Sequence, residues 1–267
     1  MKTSCVVVAY NYLELAKVSI ESVIEKSSKD VEIIIVDNHS PDKRTSEYIN
    51  SIKAENVKII DAGKNIGCHN GFALGFKHAK GDYLVKLDDD TVVETQDWDK
   101  EMISTLEKYM NIAFIAPRSN VEQTGQLLEL NGGFTQKMQG IVGFSMVMFP
   151  REFYEKYVAK AFTSNKRLYG GEEVLLAQAA IENGLIYGYS ENTKISHIAN
   201  EDRPVLYVLW KEFYGLWGKT DKDYSEFKDD EEEIKKAFMK WTVDSNEWKQ
   251  ERADEYLNNK KGKYFFK

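Results

Sequence analysis

The sequence predicts an α/β fold, a mostly parallel sheet with helices packed over it, and three observations carry that prediction. Short β-branched runs alternate with helically spaced stretches in the first half of the chain, the order expected of strands and helices that take turns. The first of these runs, Cys5 to Ala9, is continuously apolar, as a strand covered on both faces should be. With 42% hydrophobic residues among 267, the chain can also fill a sizeable core.

Cys5-Val6-Val7-Val8-Ala9 is the first strand. Leu15, Val18, Val23 and Ile24 recur at roughly helical spacing between Leu13 and Ile24, completing a first β-α unit. Glu32 to Val36 is the second strand and runs into Asp37-Asn38-His39-Ser40-Pro41-Asp42, a cluster of turn formers. A helix over Arg44 to Lys53 follows, then a third strand, Val57 to Ile60. Gly63-Lys64-Asn65-Ile66-Gly67 is a loop that leads into a helix over Asn70 to Ala79. Gly81-Asp82 turns the chain into Tyr83 to Leu87, a fourth strand that delivers Asp88, Asp89 and Asp90 at its carboxyl end. In open α/β sheets that edge is where ligands gather.

The second half is less regular. Ile112 to Ala116 and Ile141 to Phe149 read as strands, the latter bounded by Gly140 and Pro150. A helix is expected from Gly171-Glu172-Glu173 to a C-cap at Asn183-Gly184. From Arg203 onward come Trp210, Trp217, Trp241 and Trp248 and a charged stretch from Asp221 to Lys236, read as helices packed by their aromatic sides. The expected organisation is therefore residues 1–202 as a catalytic domain, with halves 1–95 and 96–202, and 203–267 as a helical extension.

The formal charge of -7 opposes unspecific attraction to phosphate backbones or anionic lipid, so it disfavours nucleic acid as a partner without excluding it. The two cysteines, Cys5 and Cys68, form neither a metal-type pair nor a disulfide framework, which fits a reducing, cytoplasmic setting. The opening residues enter an apolar run too short to span a membrane and without a cleavage site, so neither a transmembrane segment nor a secretion signal is expected. The closing Lys260 to Lys267 mixes basic and aromatic residues, which leaves peripheral membrane contact open beside a frayed end.

Three consecutive carboxylates at the end of an apolar strand repel unless a cation or donors compensate. A divalent ion is the simplest compensation, since Mg²⁺ or Mn²⁺ takes oxygen ligands from one or two carboxylates and from substrate phosphates. Asp88 and Asp90 share a side if the strand continues through them. A solvated acidic turn is the plain alternative. Asp37 either caps its turn or meets a ligand. Glu172 and Glu173 either complement a helix dipole, or one of them is a general base for an acceptor hydroxyl. His197, in a short apolar segment, is by itself more in keeping with a structural histidine than with a ligand.

Taken together, these motifs resemble the inverting glycosyltransferases of the GT-A fold, family 2 in particular. The resemblance runs from about Thr3 to Ile198 and rests on the order of Val7 to Tyr12, Glu32 to Ser40, Asn65-Ile66-Gly67 with Asn70-Gly71, and Gly81-Asp82-Tyr83 leading to Asp88-Asp89-Asp90. It implies a nucleotide-diphospho-sugar donor, UDP-linked by family frequency, and Mn²⁺ or Mg²⁺. Ala9, Tyr10, Asn11, Asp37, Asn65, Gly67, Asn70, Asp88 and Asp89 would bind the donor, with Ala9, Tyr10 and Asp37 at the base and Asp88 near the ribose. Asp90, Asp88 and His197 would hold the metal, Asp90 directly. Gly171-Glu172-Glu173 resembles the family's Gly-Glu-Asp segment, whose second acidic residue is the catalytic base. Here that is Glu173, one methylene longer, which keeps Glu172 as a competing candidate. The acceptor would be a glycan, a lipid-linked sugar or another hydroxyl compound.

Two other readings compete. Leu87-Asp88-Asp89-Asp90-Thr91-Val92 also fits the signature of haloacid-dehalogenase-like phosphatases, with Asp88 as nucleophile, although that motif normally sits on the first strand. A domain that binds nucleotide-sugar or glycan without turnover is the other, invited by Glu173 standing in for aspartate.

Overall fold

A computed structural model describes residues 2–40, 43–109, 111–120, 126–130, 132–138, 140–143, 145–164, 171–198 and 231–243, with positions 250, 251 and 254. The chain divides into two compact units, the first of which ends at Ile198 and contains every described strand. Its opening part is β1 (Thr3–Ala9), α1 (Leu13–Lys26), β2 (Val31–Asp37), α2 (Lys43–Ser51), β3 (Val57–Asp61), α3 (Gly67–His78) and β4 (Tyr83–Asp88). These four strands are parallel in the order β3-β2-β1-β4, which brings all their carboxyl ends to one edge.

The rest of this unit is β5 (Thr91–Val93), α4 (Trp98–Lys108), β6 (Ile112–Ser119), β7 (Leu127–Leu130), β8 (Phe134–Lys137) and β9 (Met146–Pro150), then α5 (Arg151–Phe153), a π-helical turn over Tyr154–Val158 and α6 (Ala159–Ser164), and finally α7 (Glu172–Glu182) and β10 (Ile186–His197). The sheet continues from β4 through β9, β6, β10 and β8 to β7, with β5 paired to β10. β9 runs antiparallel to β4 and β6, while β10 lies parallel to β6.

The continuous apolar runs have a direct cause. Successive side chains of a strand point to opposite faces. In β1, Cys5, Val7 and Ala9 enter one core with Ala16, Ile20 and Val23 of α1, while Val6 and Val8 enter a second core with Phe72 and Phe76 of α3. Ile33 and Ile35 of β2 join the first core, Ile34 and Val36 the second.

Glycines set how close α3 comes to β1. A Cβ on Gly71 would lie 2.8 Å from Val8 Cγ1, and one on Gly75 only 2.3 Å from Val6 Cγ1. Gly75→Ala is therefore expected to destabilise the protein by about 1–3 kcal/mol of overpacking, more than offsetting the roughly 1 kcal/mol that alanine gains over glycine in a helix. A fall in the urea midpoint checks it, and an unchanged or raised midpoint would contradict the close packing.

Two sequence expectations change. The strand expected to begin at Ile141 starts at Met146, because backbone groups before it turn to side chains of β10: Tyr187 Oη donates to the Gly140 carbonyl (2.6 Å), and the Gly143 N–H donates to Tyr189 Oη (3.2 Å). The strand carrying Asp88 stops there, and Asp89 and Asp90 form a turn, so the three carboxylates do not alternate across a strand. In the tail, Glu231–Thr242 forms α8. Trp210, Phe213, Tyr214, Trp217, Trp248, Lys260 to Lys267 and Gly170 lie outside the described residues.

Candidate active site

The carboxyl edge of the parallel strands is laced together by side chains. Ala9, fully buried, accepts the Asn38 N–H (2.9 Å). The Asn11 N–H donates to Ser40 Oγ (3.0 Å), while the Ser40 N–H and Oγ–H donate to Asp37 Oδ1 at 3.2 and 3.3 Å. Asn38 Nδ2 donates to Asn65 Oδ1 (3.1 Å), which also accepts the Gly67 N–H (2.9 Å). Asn70 Nδ2 caps back onto the Ile66 carbonyl (2.9 Å). The Tyr10 N–H donates to Asp89 Oδ2 (2.9 Å), which ties the β1 loop to the acidic turn. Ala9, Tyr10, Asn11, Asp37, Asn65, Gly67, Asn70 and Asp89 thus gather at one sheet edge, on strand ends, on the loops that follow them and in the first turn of α3.

Asp88 is held differently. Its N–H donates to the Ser145 carbonyl (2.8 Å), its carbonyl accepts Ser19 Oγ (3.0 Å), and its Oδ1 receives the Lys86 ammonium at 2.7 Å. Lys86 is buried, with its Nζ over the Phe72 ring at 5.2 Å. Burial works against its charge, but Asp88 and then Glu172 more than reverse that and hold its pKa above the ordinary lysine value. Burial raises the Asp88 carboxyl, opposed by Lys86 and reinforced by Asp90.

Asp90 and His197 meet. β10 pairs with β5 so that His197 lies opposite Thr91, and the Ile198 N–H donates to the Asp90 carbonyl (2.9 Å). His197 Nε2 is then 3.2 Å from Asp90 Oδ1. Asn120 fixes the histidine's backbone, accepting its N–H at Oδ1 (2.8 Å) and donating from Nδ2 to its carbonyl (3.4 Å). Among the described residues no group of three or more His, Cys, Asp or Glu converges as a complete metal cage. A carboxylate oxygen facing an imidazole nitrogen is nevertheless a donor set that suits a first-row divalent ion whose other positions go to substrate oxygens. Asp88, turned toward Lys86, stands beside this pair.

The two glutamates at the start of α7 part company. Glu172 is buried, accepts the Cys68 thiol at Oε1 (2.9 Å) and lies 3.9 Å from His69 Nε2. Burial would raise its carboxyl, but Lys86 and His69 outweigh that and hold it below the usual glutamate value. Glu173 is partly exposed. Burial and then the adjacent Glu172 charge push its carboxyl up. One glutamate is a fixed anion within a polar cluster, and the other is a reachable carboxylate of raised basicity.

Sequence reasoning missed Lys86, His69, Cys68 and Asn120. Lys86 alone carried a signal: a lysine inside an otherwise apolar strand must find a buried partner.

A mixed sheet of this order, with the carboxyl ends of its parallel strands gathered at one edge, has the GT-A fold. Two solved structures share it: GalNAc-T7 with UDP, GalNAc and Mn²⁺ (TM-score 0.60, 18% identity, 92% of this chain and 58% of that one) and mannosyltransferase PcManGT from Pyrobaculum calidifontis with GDP-Man and Mn²⁺ (TM-score 0.55, 13% identity, 80% and 61%). At these identities the likeness is one of fold. The family model of glycosyl transferase family 2 matches residues 4–175, and the chain belongs to that family. Two uncharacterized glycosyltransferases of Haemophilus influenzae are 27% identical over 141 residues and 30% identical over 138. Each match covers 52% of this chain but only 40% and 44% of those relatives, so it spans less than half their length.

Proposed function

We propose that this chain transfers a sugar from a nucleotide-diphosphate donor to an acceptor hydroxyl, with inversion at the anomeric carbon and dependence on a divalent ion. The observations that support the proposal are the Asp90–His197 pair at the edge where the parallel strands end and the partly exposed carboxylate of Glu173, whose charged neighbours include Lys86 and Asp88. UDP-linked donors are the first expectation. The two structural neighbours, one with UDP and one with GDP-Man, make both donor classes worth testing.

In this reading the strand ends and loops after β1, β2 and β3 receive the nucleotide, with Ala9, Tyr10 and Asp37 at the base, Asp88 near the ribose, and Asn11, Asn65, Gly67, Asn70 and Asp89 completing the donor-binding set. Asp90 and His197 would hold Mn²⁺ or Mg²⁺, which would supply positive charge against the charge developing on the leaving diphosphate. Glu173 accepts the proton of the acceptor hydroxyl as that oxygen bonds to the anomeric carbon. The bond from that carbon to the diphosphate oxygen breaks on the opposite face, and its electron pair leaves with the nucleotide. Glu172, anchored by Cys68 and facing His69, keeps a fixed negative charge beside Glu173 and so sustains its basicity. Residues 1–95 would serve the donor and 96–202 the acceptor, which would be a glycan, a lipid-linked sugar or another hydroxyl compound. No described helix is long and apolar enough to cross a membrane.

The test is transfer from UDP- and GDP-sugars with and without Mn²⁺, with the anomeric configuration of the product read by NMR. Retained configuration would sink the displacement mechanism, and tight nucleotide binding without any transfer would favour a binding-only domain. A pH prediction accompanies it. Glu173 must be ionised to accept a proton, and its pKa is raised, so activity should be full above that pKa and fall as pH drops through it. The acidic limb of kcat against pH should therefore lie above the ordinary glutamate range. A limb at or below it would exclude Glu173 as the base.

A further inference from the structure

We infer that Asn38, which stands outside the donor-contacting set above, is the positioning residue that holds the three nucleotide-binding loops in one arrangement before donor arrives. The inference rests on the donor-pocket reading of those loops. Asn38 is 3% exposed and follows Asp37, the residue assigned to the base. Its backbone N–H reaches the β1 end at Ala9, and its side-chain amide spans to the β3 loop: Oδ1 accepts the Ile66 N–H (2.9 Å) and Nδ2 donates to Asn65 Oδ1 (3.1 Å).

Both amide orientations are fixed by chemistry. The Ile66 N–H can only donate, so Asn38 must present oxygen to it and nitrogen to Asn65. The Gly67 N–H likewise demands the oxygen of Asn65, which is therefore the acceptor that Asn38 Nδ2 needs. Of the four non-glycine residues with positive φ among the described residues, Asn11, Tyr12 and His39 lie in the β1 and β2 loops joined at this node. Side chains at such φ values are strained, and surrounding contacts must hold them there. The Asn38 side-chain amide ties the β2 loop, which carries His39, to the β3 loop, while its backbone N–H ties the same residue to the end of β1, and α3 starts directly beyond at Gly67.

Asn38→Asp separates this role from simple packing. The aspartate has nearly the same size and still accepts from Ile66, but it sets a carboxylate against Asn65 Oδ1, acceptor to acceptor. Flipping Asn65 to relieve this would strip Gly67 of its partner. Both Asn38→Asp and Asn38→Ala are expected to raise the Kd for UDP or GDP, whichever the parent protein binds, roughly tenfold. The matching loss in turnover should fall on donor KM, with kcat at saturating donor changed less than about twofold. Asp37→Ala, measured in parallel, should abolish nucleotide binding if the pocket is correctly placed.

A parental Kd in both Asn38 variants, with binding lost in Asp37→Ala, would overturn the role of Asn38 and leave the pocket standing. If Asp37→Ala binds normally, or the parent binds neither nucleotide, the pocket reading itself fails and this inference with it. An effect of Asn38→Ala that Asn38→Asp does not share would reduce the residue to a packing role. Should the variants not fold, hydrogen exchange on the parent decides. The Ile66 and Gly67 amides should be protected in the nucleotide-free protein, and unprotected exchange there would refute a preformed clamp.

Discussion

Asp90→Asn is expected to lower transfer by about 10²–10³-fold, the loss typical of removing one group aimed at charge that develops in the transition state. The substitution is nearly isosteric at a residue only 5% exposed, so the fold should survive it. What it removes is the anionic half of the pair with His197. Calorimetric titration with Mn²⁺ should show binding weakened in Asp90→Asn and in His197→Ala alike. Nucleotide binding that depends on metal in the parent should lose that dependence in both. If Asp90→Asn keeps parental kcat and Mn²⁺ affinity, the acidic turn is a solvated one and the metal assignment falls.

Glu173→Gln is expected to reduce kcat by about 10²–10⁴-fold, the usual contribution of a positioned general base. The donor KM should hardly change, because in the proposed reaction this side chain would act on the acceptor proton rather than on the nucleotide. Glu172→Gln should behave differently. Glu172 helps balance the buried Lys86 and accepts the Cys68 thiol, so its neutralisation should show first as lost stability, seen in a lowered Tm. The crossed result, a folded Glu172→Gln with no turnover and an active Glu173→Gln, would exchange the two assignments.

The legible parts of the molecule are those where local chemistry and tertiary environment agree. β1, β2 and β4 are readable because burial on both faces leaves mostly apolar residues, Lys86 and Glu32 being exceptions, and the acidic turn because three carboxylates at a strand end stand out. What stayed hidden depends on contacts distant in sequence. β7 and β8 are only four residues each, too short to carry a periodic signal. The segment Ile141 to Gly143 looks strand-like by composition, yet tyrosine hydroxyls from β10 take up the backbone groups that flank it. α4 does carry a helical pattern, with Trp98, Met102 and Leu106 on its buried side. Within the candidate site, the contrast between Glu172 and Glu173 cannot be read from adjacent letters, because Cys68, His69 and Lys86 create it from other elements.

The long strand β10 has a consequence for the order in which this molecule becomes competent. Asp90 and its facing histidine are separated by more than a hundred positions, and their approach requires β10 to be laid against β6, β8 and β5. Pairings so remote in sequence close late, after the local β-α units have formed. On a ribosome, where domains fold as units while the chain emerges, His197 is among the last residues of its unit to be synthesised. The Asp90–His197 pair is thus the last part of the candidate site to be completed during biogenesis.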